Sequence, residues 1–589
     1  MGTVNDMSDF RLSMNNIVTA AGSRNSAGSR ALNTLTEALD RAAHSASAMN
    51  FYSGKGELLE ALGYSQLREQ ALTLAHHLLA TGLAPGDRVG IVAETDGDFA
   101  RSFFACQYAG LVPAPLPLPA ALGGRTQYVE HIHGMLASIG ATALLAPASL
   151  IDWLLEACGD LALRFCGTLE QLRAVPAADG DLPPIDADAL AYLQFSSGST
   201  RFPQGVAVTH RAVVANIDAI AEHGLMIGAD DRCVSWLPFY HDMGLVGFLL
   251  TPLCCAIPVD FIATREFARR PLTWLQLISR NRGTLSFSPS FGYELCARRA
   301  ENGAPEGLDL SSWRGAGIGG DMVRPAPLRA FAERFAASGF RANAFVPSYG
   351  MAEAALALSF TPQDRGVRID TLDIDALERH DRAEAAATDA ARTRSFVFCG
   401  PILPGHEVEV RGDNGEALAE RQIGRIHVRG PSLMKEYFAR ADETARVMLA
   451  GGWLDTGDLG YLADGEIVIT GRAKDLIIVN GRNILPQDLE WTAEGEVTAL
   501  RSGDVAAFSV NDEAGERVVV LFECRSNDPQ LRDAIGAEVA GVLRTRHGVH
   551  ADVIAVPPRS LPQTSSGKLS RAKARQLYLK GAFESVRAA

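Results

Sequence analysis

Tyr192-Leu-Gln-Phe-Ser-Ser-Gly-Ser-Thr-Arg-Phe-Pro-Gln-Gly-Val-Ala-Val-Thr-His210 contains two apolar runs separated by a loop of small residues. The runs predict the strands of a hairpin. Small hydroxylated residues with glycines at 198 and 205 let backbone N–H groups turn inward, and such a nest binds anionic oxygens. It is not a Walker loop, because no Gly-Lys-Ser/Thr opens a following helix. Taken alone, the loop is more often a flexible turn, so phosphate binding depends on the rest of the chain.

The composition bounds the class of protein. A chain of 589 residues is too long for one core and predicts at least two folded bodies. Its 47% hydrophobic and 21% charged residues are ordinary for a globular protein. The net charge of −14 is spread along the chain, which argues against an extended nucleic-acid surface. We therefore expect no nucleic-acid partner.

Three features of the sequence indicate the cellular location of the protein. The nine cysteines form no CxxC pair and no metal-type spacing with histidine, which favours free thiols in a reducing compartment. Residues 1–30 are polar without a signal-peptide pattern, and we expect a flexible leader there. The apolar stretch 245–262 contains Pro252, Pro258 and Asp260, which favours a buried wall over a membrane span. The sequence predicts a cytoplasmic protein with no integral membrane segment.

The order of sequence patterns predicts the domain organisation. Apolar runs such as Arg88-Val-Gly-Ile-Val-Ala93 alternate with helical patterns such as 65–79, which is typical of α/β layering. Short strands with Gly/Asp turns, including Asp464-Gly465, follow in 396–471 and predict a β subdomain. Two further strand patterns and a helical pattern at 528–546 are enough for a separate α+β unit.

Several segments that follow the loop match, in order, the motifs of one superfamily. They are Trp236-Leu-Pro-Phe-Tyr-His-Asp-Met-Gly-Leu-Val-Gly247, Gly319-Gly-Asp-Met-Val323, Tyr349-Gly-Met-Ala-Glu-Ala354, Trp453-Leu-Asp-Thr-Gly-Asp-Leu-Gly460, Gly471-Arg472 and Leu561-Pro-Gln-Thr-Ser-Ser-Gly-Lys-Leu-Ser-Arg571. From about 34 to 571 the chain resembles the ANL superfamily of adenylate-forming enzymes. The resemblance implies an α/β fold with a large N-terminal domain, 31–473, that carries a β-barrel-like subdomain. It also implies a small mobile α+β C-terminal domain, 474–589, with the hinge at Lys474.

The resemblance implies three catalytic residues. Lys568 would contact the attacking carboxylate and the α-phosphate, lowering the repulsion between two anions; the alternative is a solvated lysine in a flexible loop. Glu353, with Thr200, would hold Mg²⁺; the alternative is a carboxylate that caps a following helix at 354–358. His241 would position the substrate carboxylate, because a carboxylate needs no base at neutral pH.

The resemblance also implies the ATP-binding residues. Tyr349 would lie against the adenine, Asp458 would accept hydrogen bonds from both ribose hydroxyls, and Arg472 would approach ribose or phosphate. The alternative for Asp458 is an ordinary Thr-Gly-Asp turn. The full set is Ser196, Ser197, Gly198, Ser199, Thr200, Arg201, Gly205, Gly320, Asp321, Tyr349, Gly350, Met351, Ala352, Asp458 and Arg472.

Four features are similar to the fatty acyl-AMP ligases, the branch that passes acyl adenylates to acyl carrier proteins. They are the form of the 236–247 motif, Arg201 in place of the usual Gly, Ala352 in place of Thr, and Ser288-Pro-Ser-Phe-Gly-Tyr-Glu-Leu-Cys296. The substrate-binding residues implied are Tyr240, Met243, Gly244, Phe291 and Tyr293. An insertion at about 361–394 is thought, in that branch, to restrain the small domain; the alternative is a tolerated surface insertion.

The predicted activity is activation of a fatty acid with ATP and Mg²⁺, followed by transfer to an acyl carrier protein in trans. Two alternatives stay open: a fatty acyl-CoA ligase, and a catalytically silent nucleotide- or lipid-binding relative. Gln204 stands where most members have Lys, which removes one positive charge that Arg201 could replace. The presence of Glu353, Asp458, Arg472 and Lys568 argues against the silent relative.

Overall fold

The computed structural model describes residues 32–119, 124–196, 204–390, 392–479, 482–512, 515–563 and 568–583. The leader predicted at 1–30 lies outside these residues. Among the helices of the described part of the chain, none is long and apolar enough to cross a membrane.

A central eight-stranded sheet organises the large domain. Its six inner strands are parallel and its two edge strands antiparallel. Inner strands such as Leu285–Ser288 are buried on both faces, as parallel strands covered by helices are. The predicted α/β class is therefore confirmed. From edge to edge the strands are Ala357–Phe360, Phe345–Gly350, Gly315–Ile318, Leu285–Ser288, Cys233–Ser235, Val259–Ile262, Ala48–Tyr52 and Leu58–Gly63.

Two smaller sheets flank the central one. The first is parallel, in the order Val112–Leu116, Arg88–Val92, Ala143–Leu145 and Phe165–Gly167. The second is antiparallel and contains the hairpin that the opening motif predicts, with Ser196 opposite Gln204. The tip of that hairpin, 197–203, lies outside the described residues. The strands of this second sheet are Glu436–Tyr437, Gln204–Thr209 and Leu190–Ser196.

The helices of the large domain pack against these sheets. Gly97–Tyr108 begins at Asp96, whose side chain accepts the Phe99 N–H at 2.9 Å, and most of its residues are buried. The apolar stretch 245–262 forms short helical turns and the strand Val259–Ile262, all within the core, so its prediction as a buried wall is confirmed. The other α-helices are Leu35–Ala42, Tyr64–Ala80, Gly124–Ser138, Ile151–Cys158, Leu169–Arg173, His210–Ala219, Asp242–Gly244, Thr251–Cys254, Thr264–Arg269, Leu272–Asn281, Ser290–Arg299 and Pro325–Phe335.

An antiparallel sheet forms the predicted β subdomain. Asp464 and Gly465 both have positive φ, 53° and 72°, which is the conformation of a two-residue hairpin turn. This turn joins the two long strands that carry Asp458 and Arg472. The strands are Glu407–Arg411, Gly424–Arg429, Met448–Leu449, Trp453–Ala463 and Glu466–Arg472, and the helix Ala441–Val447 lies beside them.

The C-terminal unit has its own core. Apolar residues on both faces of its three-stranded sheet form two clusters, and one of them includes Ile477, just after Lys474. Lys474, the predicted hinge, lies in the short turn Ala473–Asp475, between the last strand of the large domain and this core. The elements are the strands Ile477–Val479, Arg482–Ile484, Val505–Asp512, Gly515–Glu523 and Ala551–Val556, and the helices Pro486–Glu496, Pro529–His547 and Arg571–Leu579.

The insertion at 361–394 is folded. The strand Ile369–Asp373 leads into the helix Ile374–His380, and the chain returns along Thr393–Val397, which pairs antiparallel with the first strand. Asp373 caps the helix by accepting the Ala376 N–H at 2.9 Å. The insertion is therefore a strand-helix-strand unit with its own hydrogen bonds.

Charged residues join this insertion to the small domain. Glu378, with a side chain that is 1% exposed, accepts a hydrogen bond from Arg482 Nε at 2.9 Å and pairs with Arg392 at 3.2 Å. Arg392 also donates to the carbonyl of Arg546 at 3.2 Å. Glu378 therefore lies between an arginine of the insertion and an arginine of the small domain. We call this trio, Glu378, Arg392 and Arg482, the insertion clasp.

A buried carboxyl at the domain boundary predicts a pH dependence of stability. Glu494 of the small domain lies 3.8 Å from Arg324 of the large domain, yet burial raises the pKa of Glu494 from 4.5 to about 8. The folded protein then holds a proton that the unfolded chain releases, so this group's contribution is present below pH 4.5 and is lost as the pH rises to 8.

We expect Glu494→Gln to remove this loss, gaining on the order of 5 kcal/mol over wild type across that window. The melting temperatures of the variant and of wild type are measured from pH 4.5 to 9. The melting temperature of Glu494→Gln minus that of wild type should grow as the pH rises and then level off. Glu496→Gln, a partly exposed residue two positions along, is the control and should show a flat difference. A flat difference for Glu494→Gln would contradict the raised pKa.

Candidate active site

A cleft lies between the large and small domains. It has two adjoining cavities of about 420 Å³ and about 200 Å³. Parallel strands of the central sheet end at this cleft, which is where open α/β sheets place their ligands. Both cavities are lined by Gly320, Ser348, Tyr349, Gly350, Arg472, Lys474 and Lys568. The structure thus brings predicted residues from both domains into one place.

Glu353 lies on the wall of the larger cavity. It sits in the turn Ala352–Ala354, and the chain then forms the strand Ala357–Phe360, so the alternative of a cap on a helix at 354–358 is wrong. The Tyr437 hydroxyl donates to Glu353 Oε1 at 2.8 Å, and burial raises the pKa of Glu353. A bound cation would favour the ionised carboxylate.

The donors present fit a magnesium ion held mainly by its substrate. Mg²⁺ commonly takes one or two carboxylates together with phosphate oxygens and water. Glu353 supplies one such carboxylate beside the larger cavity, and among the described residues no group of three acidic, His or Cys side chains could form a complete protein cage. The second predicted ligand, Thr200, lies outside the described residues.

Tyr437→Phe should weaken magnesium use about tenfold, within the range known for changes to groups that orient metal ligands. The Tyr437 hydrogen bond lowers the pKa of Glu353 against the effect of burial, so its loss leaves less of the ionised carboxylate. The Mg²⁺ concentration that gives half-maximal pyrophosphate release measures the effect. Tyr461→Phe is the matched control, because Tyr461 donates to Asp370 away from the cleft. Equal Mg²⁺ requirements in both variants would contradict this role.

Asp458 is held by two neighbours at the smaller cavity. The Tyr349 hydroxyl donates to Asp458 Oδ2 at 2.8 Å, and Arg472 Nε lies 3.3 Å from Oδ1. Asp458 and Arg472 are opposite each other in adjacent strands, which fixes their spacing. Burial raises the pKa of Asp458 although the charge of Arg472 opposes it. The arrangement offers a carboxylate with two acceptors beside an aromatic ring, as a ribose and an adenine need.

The remaining ATP-binding predictions reach the two cavities only in part. Asp321 lines the smaller cavity, Gly320 lines both cavities, and Ser196, Met351 and Ala352 line the larger one. Gly350 has no space for a side chain, since a Cβ there would lie 1.9 Å from the Leu356 carbonyl oxygen. Gly205 is in the hairpin strand Gln204–Thr209 and lines neither cavity. The loop residues Ser197, Gly198, Ser199, Thr200 and Arg201 lie outside the described part of the chain.

His241 is paired with its neighbour Asp242. His241 Nδ1 lies 2.5 Å from Asp242 Oδ1, and both residues line the larger cavity. Burial favours a higher pKa for Asp242, but the charges of His241 and Lys568 outweigh it and hold the pKa below its usual range. Asp242 was not among the predicted site residues, although its position beside His241 in the motif was a signal.

Lys568 reaches the cleft from the small domain. It lines both cavities, and its charge lowers the pKa of Asp242 on one side and of Asp458 on the other. Lys474 lines both cavities as well, and burial together with Arg472 lowers its pKa. Lys568 therefore lies between the residues predicted to hold the carboxylate and those predicted to hold the ribose.

The predicted fatty-acid residues are only partly brought to the cleft. Tyr240 and Met243 line the larger cavity, and Gly244 packs behind them, with no room for a Cβ against the Pro238 carbonyl. Phe291 is 44% exposed, and Tyr293 donates to the Gly317 carbonyl at 2.8 Å within the aromatic core. These last two line neither cavity. The apolar wall is formed instead by Phe287, Leu356 and Phe360, which the sequence had not singled out.

Comparisons with known proteins agree with this geometry. The sequence matches the family described as AMP-binding enzyme over residues 39–438. A protein of Caulobacter vibrioides named "Putative acyl-CoA synthetase" is 56% identical and covers 93% of this chain and 96% of its own. The medium-chain-fatty-acid–[acyl-carrier-protein] ligase JamA of Moorena producens is 34% identical and covers 94% and 96%.

A solved structure gives the same result for the fold. It comes from a study of fatty acyl-adenylate ligases from E. coli and L. pneumophila, and it is 44% identical with a TM-score of 0.90. The match covers 93% of this chain and 98% of that chain, so it includes both the large and the small domain. The chain therefore belongs to the AMP-binding enzymes of the ANL superfamily and is an adenylate-forming ligase with fatty acyl-AMP ligases among its relatives.

Proposed function

We propose that this enzyme transfers AMP from ATP to the carboxylate of a fatty acid and then passes the acyl group to the phosphopantetheine thiol of a separate acyl carrier protein. The observation that carries the first step is the position of Lys568, which shares one cleft with His241, Glu353 and Asp458. The described thiols are free, which fits the reducing cytoplasm that we propose as its location.

In the first step a carboxylate oxygen bonds to the α-phosphorus of ATP, and the bond from that phosphorus to pyrophosphate breaks. His241, fixed by Asp242, would orient the carboxylate. Lys568 would contact both the carboxylate and the α-phosphate, where a fixed positive charge in a partly closed site offsets the charge that develops. Proton transfer is not needed, because the acid is already ionised.

Asp458 and Arg472 would hold the ribose, Tyr349 the adenine, and the hairpin 196–205 the pyrophosphate oxygens. A magnesium ion bound through Glu353 would neutralise phosphate charge. The fatty acid would lie against Met243, Phe287 and Phe360, which are apolar residues that line the larger cavity. In the second step the carrier thiol attacks the acyl carbonyl and AMP leaves.

The choice of a carrier protein over coenzyme A is supported by the insertion clasp and by the relative JamA, which is named for a carrier protein. The clasp ties the small domain to the large one in the arrangement that places Lys568 in the cleft. The second candidate function is an acyl-CoA ligase, which the name of the 56% identical relative favours.

Product analysis tests both functions. The enzyme is incubated with ATP, Mg²⁺ and a panel of medium- and long-chain fatty acids, with and without coenzyme A, and the products are separated by mass spectrometry. We expect acyl-AMP that persists when coenzyme A is added and is consumed when a phosphopantetheinylated carrier protein is added. Conversion to acyl-CoA would establish the second candidate instead. Absence of acyl-AMP with every acid would refute the adenylation itself.

A further inference from the structure

Two cysteines outside the cleft lie in direct contact. Cys158 is the last residue of the helix Ile151–Cys158, and Cys166 is in the strand Phe165–Gly167 at the edge of the parallel flanking sheet. Their Sγ atoms are 3.0 Å apart, and both thiols are free. The chain between them turns back at Gly159, which has a φ of 46°. The helix and the strand thus bring the two sulfur atoms into contact.

The two thiols differ in the way that a reacting pair requires. Cys166 is partly exposed, whereas Cys158 is 9% exposed. The hydrogen bond from Cys158 lowers the pKa of Cys166 and raises that of Cys158. A thiol that is accessible and more easily ionised attacks an oxidant first, and the adjacent thiol then resolves the product.

The other partly exposed cysteine lacks these features. Burial raises the pKa of Cys255 to about 12, which keeps it in the unreactive thiol form. Burial also raises the pKa of Cys106, Cys233, Cys254, Cys296 and Cys399. Cys166 therefore differs from these cysteines because its pKa is lowered, and its sulfur contacts that of Cys158.

We propose that Cys158 and Cys166 are a redox-sensitive pair that forms a reversible disulfide when the protein meets hydrogen peroxide. The Cys166 thiolate attacks one peroxide oxygen, the O–O bond breaks, and the departing hydroxide takes up a proton to give water and a Cys166 sulfenic acid. Cys158 sulfur then attacks the Cys166 sulfur, the S–O bond breaks, and a second water leaves with the Cys158 proton. Two thiols are oxidised and one peroxide is reduced to two waters.

The position of the pair suits a reversible modification. The disulfide would join the end of a helix to an edge strand, across a pair of residues only eight apart in sequence. Phe195, which lines the larger cavity, packs against the same apolar cluster as Cys158. In a reducing compartment such a bond would be transient, as disulfides of redox-sensing proteins are.

Peptide mapping of the full-length enzyme tests the proposal. Trypsin cuts after Arg125, Arg164 and Arg173, so Cys158 and Cys166 fall in different peptides, 126–164 and 165–173. After treatment with peroxide and blocking of free thiols, we expect these peptides to be linked before Cys255 is oxidised, and the intact protein to lose about two mass units. Dithiothreitol should separate them.

Three variants give the direction of the reaction. Cys158→Ser should trap a sulfenic acid at Cys166 that dimedone labels, whereas Cys166→Ser should give no such label at Cys158. Cys255→Ser, the control, should form the linked peptides as wild type does. Sulfinic or sulfonic acid at Cys166 without linked peptides in wild type would overturn the proposal, and so would equal labelling of the two cysteines in the two Ser variants.

Discussion

Lys568→Ala should lower the rate of acyl-AMP formation by about 10²- to 10³-fold, the range found when one preorganised charge or donor is removed from a transition state. Lys568 lines both cavities of the cleft and its charge acts on both Asp242 and Asp458, so its ammonium is available where two anionic reactants would meet. ATP would still contact Tyr349, Asp458, Arg472 and Glu353, and its dissociation constant should change by less than about threefold.

Pyrophosphate release gives the rate of the first step, and equilibrium dialysis with ATP gives the affinity. Lys573→Ala is the matched control, since Lys573 is an exposed lysine on the adjacent helix Arg571–Leu579. The control should retain the wild-type rate. Comparable turnover in Lys568→Ala and wild type would refute the role given to Lys568, and a large loss of ATP affinity would show that it binds ATP rather than stabilising the reacting oxygens.

The same variant separates the two half-reactions. The charge argument for Lys568 concerns the approach of a carboxylate to a phosphate, and the attack of a thiol on a preformed acyl-AMP does not bring two such anions together. Lys568→Ala supplied with synthetic acyl-AMP and a carrier protein should therefore form the acyl-carrier thioester at close to the wild-type rate. Loss of both steps would indicate that Lys568 also positions the acyl-AMP.

The predictable part of this protein is the part encoded by local patterns. Buried parallel strands such as Leu285–Ser288 appear as short apolar runs, and the Asp464-Gly465 turn requires residues that tolerate positive φ. Glu353, Asp458 and Lys568 could be predicted as site residues because each lies within a short motif. These motifs are each more than a hundred residues apart, and the fold brings them to one cleft.

Other parts depend on contacts that leave no local pattern. Tyr437 meets Glu353 across 84 positions of sequence, and no feature near Tyr437 indicates that contact. Phe291 and Tyr293 lie two positions apart in the first turn of one helix, and packing against Trp274 and Trp313 decides that Tyr293 faces the core rather than the cleft. The apolar wall of Phe287 and Phe360 in the larger cavity arises from two strands of the central sheet that only the fold brings together.

The composition of the insertion does not reveal its contact with the small domain. Its charged, alanine-rich residues are typical of a surface loop, and many of them are exposed. Yet Asp373 starts a helix, and that helix carries Glu378 to Arg482 of the small domain. Charges that the sequence shows as a solvated run therefore include one that is buried between two domains.

Glu378→Gln should raise the yield of acyl-CoA about tenfold or more when coenzyme A is present. The change leaves Arg392 and Arg482 facing each other without the carboxylate that neutralises them. Because both arginines are partly exposed, we place the lost stabilisation at about 2 kcal/mol, between a surface pair and a fully buried one. A loss of about 1.4 kcal/mol already shifts an equilibrium between two domain arrangements tenfold.

The ratio of acyl-CoA to acyl-AMP, measured by mass spectrometry at fixed coenzyme A, reports this shift. Arg379→Gln is the matched control, because Arg379 is the next residue of the same helix, is exposed, and pairs inside the insertion with Asp375 at 3.8 Å. It should leave the ratio unchanged. If Glu378→Gln also leaves the ratio unchanged while the enzyme still forms acyl-AMP, the insertion clasp does not restrain the small domain, and the preference for a carrier protein must then be set by the surface that receives the thiol.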